Sequence, residues 1–484
     1  MIDTTRQLHE LIVGRITFPL TNALYNRRRV MSTYRQLLAT ETMPPERLRE
    51  LQLDKLRKVL FFADRWVPFY RERFAQAGLV PEDVRSLSDL SAIPPLTRED
   101  LVEQLPRLID RRQRAAFQRA VKTDRRGQPI PFAPFRRNRL VRNTTSGSTG
   151  TPAVTFEDGS TSALSWATEL RCKQWFGVGP GAREARLKRV ANEETPPWLQ
   201  VKMRQYLWNQ LPLPGLNLVE ADHRENLSRI SRFQPQVLWG CTTTLVRMAE
   251  FVQQRGQRLP FYPKLIITWS EPLLVHEKAL LEETFQCPAA NIYGGREVGH
   301  LGATCPEGVL HSNQESFFLD TGRPYSEDCP GELMVTTLFE TPLPLIRYQM
   351  GDLAELGSQT CSCGRTLQTI RRLSGRSVER FVTSEGRTIS GVLWPQVFAK
   401  DPGCLGVRRF QTVYRPDGGL CFRIVRGGRY SSKTEDFVRD YVHKNIQADL
   451  RVVFEFPDEI PVGPSGKFPL LVDERRDRDE DLCV

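Results

Sequence analysis

Cysteine is sparse here, ten in 484 residues, and too scattered for the disulfide framework of a small secreted domain. No run of about 18 apolar residues occurs, so no membrane-crossing helix is expected. No leader is expected either, because the first apolar run, Leu11-Ile12-Val13, is soon broken by Arg15. A reducing cytoplasm is the compartment these absences imply. One further absence is chemical. A loop rich in glycine and hydroxyls runs from Asn143 to Pro152, but no Gly-Lys-Ser/Thr follows, so it is not a Walker-type phosphate loop.

What is present is an ordinary globular composition, 40% hydrophobic with 8 Trp and 25 Phe, in a chain long enough for two or three domains. The net charge of +11 is compatible with nucleic acid, anionic lipid or polyanionic substrates. Much of it sits in short arginine clusters: Arg27-Arg28-Arg29, Arg111-Arg112, Arg125-Arg126 and Arg136-Arg137. No aromatic-interleaved recognition pattern accompanies them, so a solvated basic face is expected and no nucleic-acid partner.

Leu11, Ile12, Ile16, Leu20 and Leu24 fall near helical spacing and lead into a basic triplet. Such a stripe suits an interfacial membrane segment. It also suits a helix packed on the body and interrupted at Pro19. Packing is the expectation, with membrane association at most peripheral and residues 1–44 an accessory helical segment. A helical pair is expected over 45–79, and Thr97 is a cap for the helix that follows it.

The middle of the chain alternates strand and helix. Gln236–Gly240, Leu265–Trp269 and a third strand starting at Asn291 predict parallel pairing, with ligands at the strands' C-terminal ends. Those ends are Gly240, Ser270-Glu271 and Tyr293-Gly294-Gly295-Arg296-Glu297. The 143–152 loop reads as a phosphate cradle, with backbone N–H groups made available by Gly147 and Gly150 and hydroxyls from Ser146, Ser148 and Thr149. A plain Ser/Gly linker has the same composition.

Cys305-x5-His311 and Cys361-x-Cys363 form a Cys₃His set suited to structural Zn²⁺. Free cysteines on loops are the alternative. His300 is a nearby substitute ligand or a substrate-pocket residue, and Cys287 and Cys329 stand apart.

In order, Thr145-Ser146-Gly147-Ser148-Thr149-Gly150-x-Pro152, Tyr293-Gly294-x-x-Glu297, Arg347-Tyr348-x-x-Gly351-Asp352, Arg376 and Gly466-Lys467 resemble the motifs of the adenylate-forming superfamily of acyl-CoA synthetases and adenylation domains. The segments Val67–Phe74 and Pro95–Asp100 resemble its phenylacetate–CoA ligase/CapK-like branch. This branch often carries the Cys…His…Cys-x-Cys pattern as well.

The resemblance implies an α/β fold: a large N-terminal domain with parallel or mixed sheets and helices (1–375), then a small mobile α+β C-terminal lid (376–484). It implies ATP-dependent activation of a carboxylic acid as acyl-AMP, then transfer to CoA or to an amine such as an amino sugar. Residues 145–150, Ser270, Glu271, Tyr293, Gly294, Asp352 and Arg376 would bind ATP or AMP. Glu297 would hold Mg²⁺, while Lys467, Glu297 and Thr149 would serve catalysis. The acyl pocket would include residues around 240–244, 270–271 and 293–302. The chain departs from the pattern at Ala153, Arg296 and Ser377-Val378. Those departures motivate a rival reading, a non-catalytic zinc- and nucleotide-binding scaffold of polysaccharide biosynthesis. The sequence leaves the oligomeric state open, a homodimer being a common arrangement for such enzymes.

Overall fold

The computed structural model describes residues 4–24, 29–122, 140–144, 154–188, 198–215, 220–256, 259–324, 330–357, 361–376, 380–383, 388–390, 394, 397, 407–427, 430–460 and 470–474. The expected helical pair forms as Pro45–Trp66 and Pro68–Gln76. Each begins at a proline, whose fixed φ suits a first helical turn. They are separate because Pro68 pushes Val67 out of the helical region, to φ −118° and ψ 101°. Thr97 caps the Arg98–Glu103 helix as expected. Its hydroxyl accepts from the Asp100 N–H, and the Asp100 carboxylate accepts from the Thr97 N–H, both at 3.1 Å.

A short antiparallel hairpin, β1 (Val141–Thr144) and β2 (Val154–Glu157), flanks the glycine/hydroxyl loop. The parallel part of the main sheet comprises β3 (Glu184–Lys188), β4 (Gln210–Pro214), β5 (Val237–Cys241), β6 (Leu265–Trp269) and β7 (Ala289–Gly295). Its antiparallel continuation comprises β8 (Gly299–Thr304), β9 (Leu310–Ser312), β10 (Phe317–Thr321), β11 (Glu332–Thr337), β12 (Tyr348–Gly357) and β13 (Thr369–Arg376). The order is β10-β11-β12-β13-β9-β8-β7-β6-β5-β3-β4, a mixed sheet of 11 strands. β5 and β6 are buried runs covered by helices, as parallel strands require.

After a two-stranded ribbon, β14 (Arg380–Val382) and β15 (Thr388–Ser390), comes a four-stranded sheet. It contains β16 (Val407–Tyr414), β17 (Leu420–Arg426), β18 (Val452–Glu455) and β19 (Leu471–Asp473), in the order β18-β17-β16-β19. The Lys433–Asn445 helix joins its own core, with Trp394, Phe410, Phe422 and Val438.

One expectation is corrected at the N-terminus. The helix does pack on the body, but through Val13, Gly14, Phe18, Thr21 and Asn22. The stripe named from its spacing, Leu11, Ile12, Ile16, Leu20 and Leu24, faces outward. A Cβ on Gly14 would collide with the Pro180 carbonyl oxygen, so the glycine lets that side of the helix approach. The helix continues through Pro19. A wider π turn over Val13–Thr17 precedes a second segment, Phe18–Leu24, in which Pro19 lies in the first turn where its missing N–H costs little.

Candidate active site

The parallel strands β5, β6 and β7 end side by side, with Cys241 opposite Trp269 and Trp269 opposite Ile292. Just past β6, Ser270 adopts φ 73°, a left-handed conformation rare outside glycine. Glu271 follows. Its Oε2 accepts from the Thr243 N–H and Oγ1, both at 2.8 Å, capping the helix after β5. Its Oε1 is buried with no hydrogen-bond partner among the described residues.

Tyr293, near the end of β7, donates its hydroxyl to Asp352 Oδ2 at 2.7 Å, across 59 positions of sequence. Asp352 lies on β12, opposite Arg376 on β13. Sheet pairing sets Asp352 opposite Arg376, and the tyrosine hydroxyl reaches Asp352 from a strand that is not its neighbour. A Cβ on Gly294 would strike the Gly299 carbonyl, so this glycine keeps the β7–β8 turn tight. Glu297 lies in that turn, and a Cβ on Gly295 would meet its Oε2 at 3.0 Å and the Met350 Cε at 3.0 Å. Thr155 on β2 reaches the carbonyl of Arg296 at 3.4 Å, which fastens the strand after the glycine/hydroxyl loop beside Glu297. Arg296 itself is exposed. The Thr145, Ser146, Gly147, Ser148, Thr149 and Gly150 cradle, Ala153, the 377–378 step and Lys467 lie outside the described residues.

Cys305, His311, Cys361 and Cys363 come together, their ligand atoms all within 4.8 Å of one another. Cys305 Sγ lies 3.8 Å from Cys361 Sγ, and Cys363 Sγ lies 3.4 Å from His311 Nε2. A disulfide, near 2 Å, is excluded for the first pair. Around Zn²⁺, tetrahedral angles put two sulfurs about 3.8 Å apart and a sulfur and a nitrogen about 3.5 Å apart. The donor set fits that ion. His311 Nδ1 faces the Leu367 carbonyl at 3.2 Å; donation there leaves Nε2 as the ligand atom. Burial lowers the His311 pKa, favouring the neutral imidazole a metal needs, and pushes the Cys305 thiol up to about 12. His300 is not part of this set. Its Nδ1 lies 3.1 Å from the Ser165 carbonyl and 4.0 Å from a Glu169 oxygen. Cys287 is buried elsewhere, under the parallel strands.

One group was not legible in the sequence. The Gly159–Trp175 helix buries Glu169, Arg171 and Lys173. Arg186 on β3 pairs with Glu169 and Glu184, and Lys173 pairs with Glu184. The Arg186 guanidinium lies between the rings of Trp166 and Trp239, at 4.8 and 4.6 Å. Burial alone would raise the Glu184 carboxyl, but Lys173 and Arg186 outweigh it and hold the pKa at about 2. Arg186 is opposite Trp239 in the sheet, so this network lies along the middle of β3 and β5, one residue before Gly240. The only sequence signal is a helix that is amphipathic on neither side.

No family model matches the chain. A phenylacetate–coenzyme A ligase of Thermus thermophilus is 26% identical over 468 residues, covering 90% of this chain and 98% of the relative. Protein CapK of Staphylococcus aureus is 24% identical, over 64% of either chain. A crystal structure of 2-hydroxyisobutyryl-CoA ligase in the postadenylation state superposes with a TM-score of 0.66 at 18% identity, covering 91% and 93% of the two chains. That likeness is one of fold. By these matches the chain is similar to the phenylacetate–CoA ligase/CapK-like branch of adenylate-forming enzymes.

Proposed function

We propose that this ligase activates a carboxylic acid with ATP–Mg²⁺ and passes the acyl group to the thiol of CoA or to an amine, such as that of an amino sugar. The observation that carries the reading is the Tyr293–Asp352 contact opposite Arg376, beside the Glu297 turn at the ends of the parallel strands. In the first step a carboxylate oxygen attacks the α-phosphorus and the bond to pyrophosphate breaks. In the second, the thiol or amine attacks the acyl carbonyl, loses its proton and expels AMP. No protein nucleophile takes part; catalysis is positioning and charge neutralisation.

In this reading Asp352 accepts the ribose hydroxyls and Tyr293 packs beside the adenine, with Ser270, Glu271 and Gly294 forming the adjoining wall. Glu271 Oε1 is an acceptor ready for a nucleotide amine. Arg376 contacts ribose or phosphate, and residues 145–150, including Thr149, cradle the phosphates. Glu297 would hold Mg²⁺, a hard cation that needs few protein ligands because it keeps several waters. Lys467 bridges the substrate carboxylate and the α-phosphate from a C-terminal lid beginning near 376. The relatives named above are ligases where their chemistry is named, so a scaffold without catalysis has no support from them.

Cys305, His311, Cys361 and Cys363 would hold Zn²⁺. A closed four-ligand site supplies cross-linking and no open position for chemistry. Its effect is to tie the 361–367 turn to β8 and β9. That turn in turn holds the end of the Val30–Thr40 helix, through the Thr366 N–H to the Glu41 carbonyl at 3.1 Å and Arg365 Nε to the Glu41 carboxylate at 3.8 Å.

The test is pyrophosphate release with ATP–Mg²⁺ against aryl, short-chain, long-chain and amino acids, with hydroxylamine trapping acyl-AMP. Release with one acid class, and the matching hydroxamate, is expected. Silence across the panel would refute acid activation of these classes. Lys467→Ala should abolish hydroxamate formation while leaving ATP binding largely intact; unchanged turnover would remove Lys467 from the mechanism.

A further inference from the structure

The outward stripe of the N-terminal helix has no counterpart elsewhere on the described surface. Leu8, Leu11, Ile12, Ile16, Leu20 and Leu24 are 57, 48, 37, 56, 53 and 63% exposed. They are six of the 13 large apolar side chains exposed among the described residues. Tyr206, exposed by 67%, extends the same face, since the His9 ring meets its carbonyl at 3.1 Å. The helix is held firmly from behind. Phe18 packs on Trp166 and Trp208. Thr17 donates to the Leu207 carbonyl at 2.8 Å, and Trp208 Nε1 donates to Thr21 at 2.7 Å. A fixed helix that keeps its aliphatic side in water is an unfinished interface.

Beside that stripe is a cavity of about 850 Å³ between this helix and the next, Val30–Thr40. Arg15, Arg29 and Arg35 line it, with Pro19 and Met31 as apolar walls. All three arginines are exposed, and none pairs with a carboxylate among the described residues. Arg15 and Pro19 lie on the helix row next to Ile12, Ile16 and Leu20, three positions along, so cavity and stripe share one side.

We propose that this face docks on an anionic phospholipid surface, the aliphatic stripe entering the acyl boundary and the arginine cavity taking lipid phosphates. Helices that lie in the interface plane have this composition, apolar along one row and basic beside it. Arginine suits phosphate because its fork donates two parallel hydrogen bonds. A second copy of the chain is a poorer occupant. A two-fold contact would bring the same patch face to face and oppose its own arginines, on a chain already at +11. The inference is independent of the ligase chemistry, because none of these residues is assigned to the active site.

The experiment is co-sedimentation of the full chain with phosphatidylcholine vesicles, with and without phosphatidylglycerol, at low and high salt. Binding to the anionic vesicles alone, weakened by salt, is expected. Ile16→Asp with Leu20→Asp should weaken it at least roughly tenfold. Arg15→Gln with Arg29→Gln and Arg35→Gln should weaken it about a hundredfold, at on the order of 1 kcal/mol per charge. All five positions are exposed or part of the cavity rim, so melting temperature and pyrophosphate release should stay at wild-type values. No binding to anionic vesicles at low salt would overturn the proposal. So would binding that neither variant alters, or a dimer broken by the Asp substitutions without any vesicle binding.

Discussion

Two polar clusters lie near the Gly159–Trp175 helix, one half-buried and one buried, and they differ in what would complete them. In one, Cys305, His311, Cys361 and Cys363 gather their ligand atoms within 4.8 Å of one another. They meet only in weak sulfur contacts, Cys305 with Cys361 and Cys363 with His311; a cation would complete all four at once. In the other, Glu169 and Glu184 face Lys173 and Arg186. Two negative and two positive groups close on themselves, so this cluster asks for no ligand. Burial of polar groups is thus not in itself a sign of a binding site. The sign is a set of groups of one kind, left incomplete by its neighbours.

Removing a member should cost most where the cluster is self-contained. Arg186→Ala leaves two carboxylates buried without their shared cation, and a loss of about 3–5 kcal/mol is expected in denaturant unfolding. Stability unchanged within error would show that solvent reaches the network.

Two glutamates sharpen the contrast. Glu184 sits at about 2 among its partners, whereas burial pushes Glu277 up to about 7. Glu277 accepts from the Leu274 N–H at 3.0 Å, and its charged surroundings are Arg409, Glu271 and Glu250. The signs are opposite. The stability Glu184 contributes is present above its unfolded value of 4.5 and lost as pH falls through about 2. Glu277 favours the folded state when neutral, below 4.5, and that contribution is lost as pH rises through about 7. Glu277→Gln should therefore flatten the stability profile between about pH 5 and 7, an effect of up to roughly 3 kcal/mol. A variant with the wild-type slope would assign that slope to other groups.

The incomplete cluster should depend on its ion. Chelator-washed protein should carry about one zinc and lose it on Cys363→Ser. Stability should fall by roughly 2.7 kcal/mol for zinc that had been present at a hundredfold excess over its Kd. Zinc well below one equivalent would leave four free donors. The smallest expected effect is on the nucleotide side. Asp352→Asn removes the charge from one hydrogen-bond acceptor, and the KM for ATP should rise by roughly tenfold, with melting temperature unchanged. An unaltered KM would take Asp352 out of nucleotide binding.

The same contrast explains what the sequence made visible. Cysteine and histidine are rare, so their spacing, with the family resemblance, brought 305, 311, 361 and 363 together against the alternative of free cysteines, and β8, β9 and the 361–367 turn do place them side by side. Buried runs such as Leu265–Trp269 and caps such as Thr97 were legible because each depends on neighbours in sequence. Tyr293 and Asp352 became a pair through a motif order, not through anything local. Glu169, Arg171 and Lys173 were invisible, since a charged residue in a helix reads as solvent-facing until Glu184, Arg186 and Glu315 are placed opposite it. The N-terminal stripe shows a third case. Its periodicity identified the helix, but periodicity reports that an apolar side exists, not that anything covers it. The backbone approach at Gly14 decided which side turned inward.

The most direct measurement is the nucleotide product formed with an accepted acid and hydroxylamine, resolved by chromatography. The account predicts AMP and pyrophosphate in equal amounts, matched by hydroxamate. ADP and inorganic phosphate in their place would contradict it.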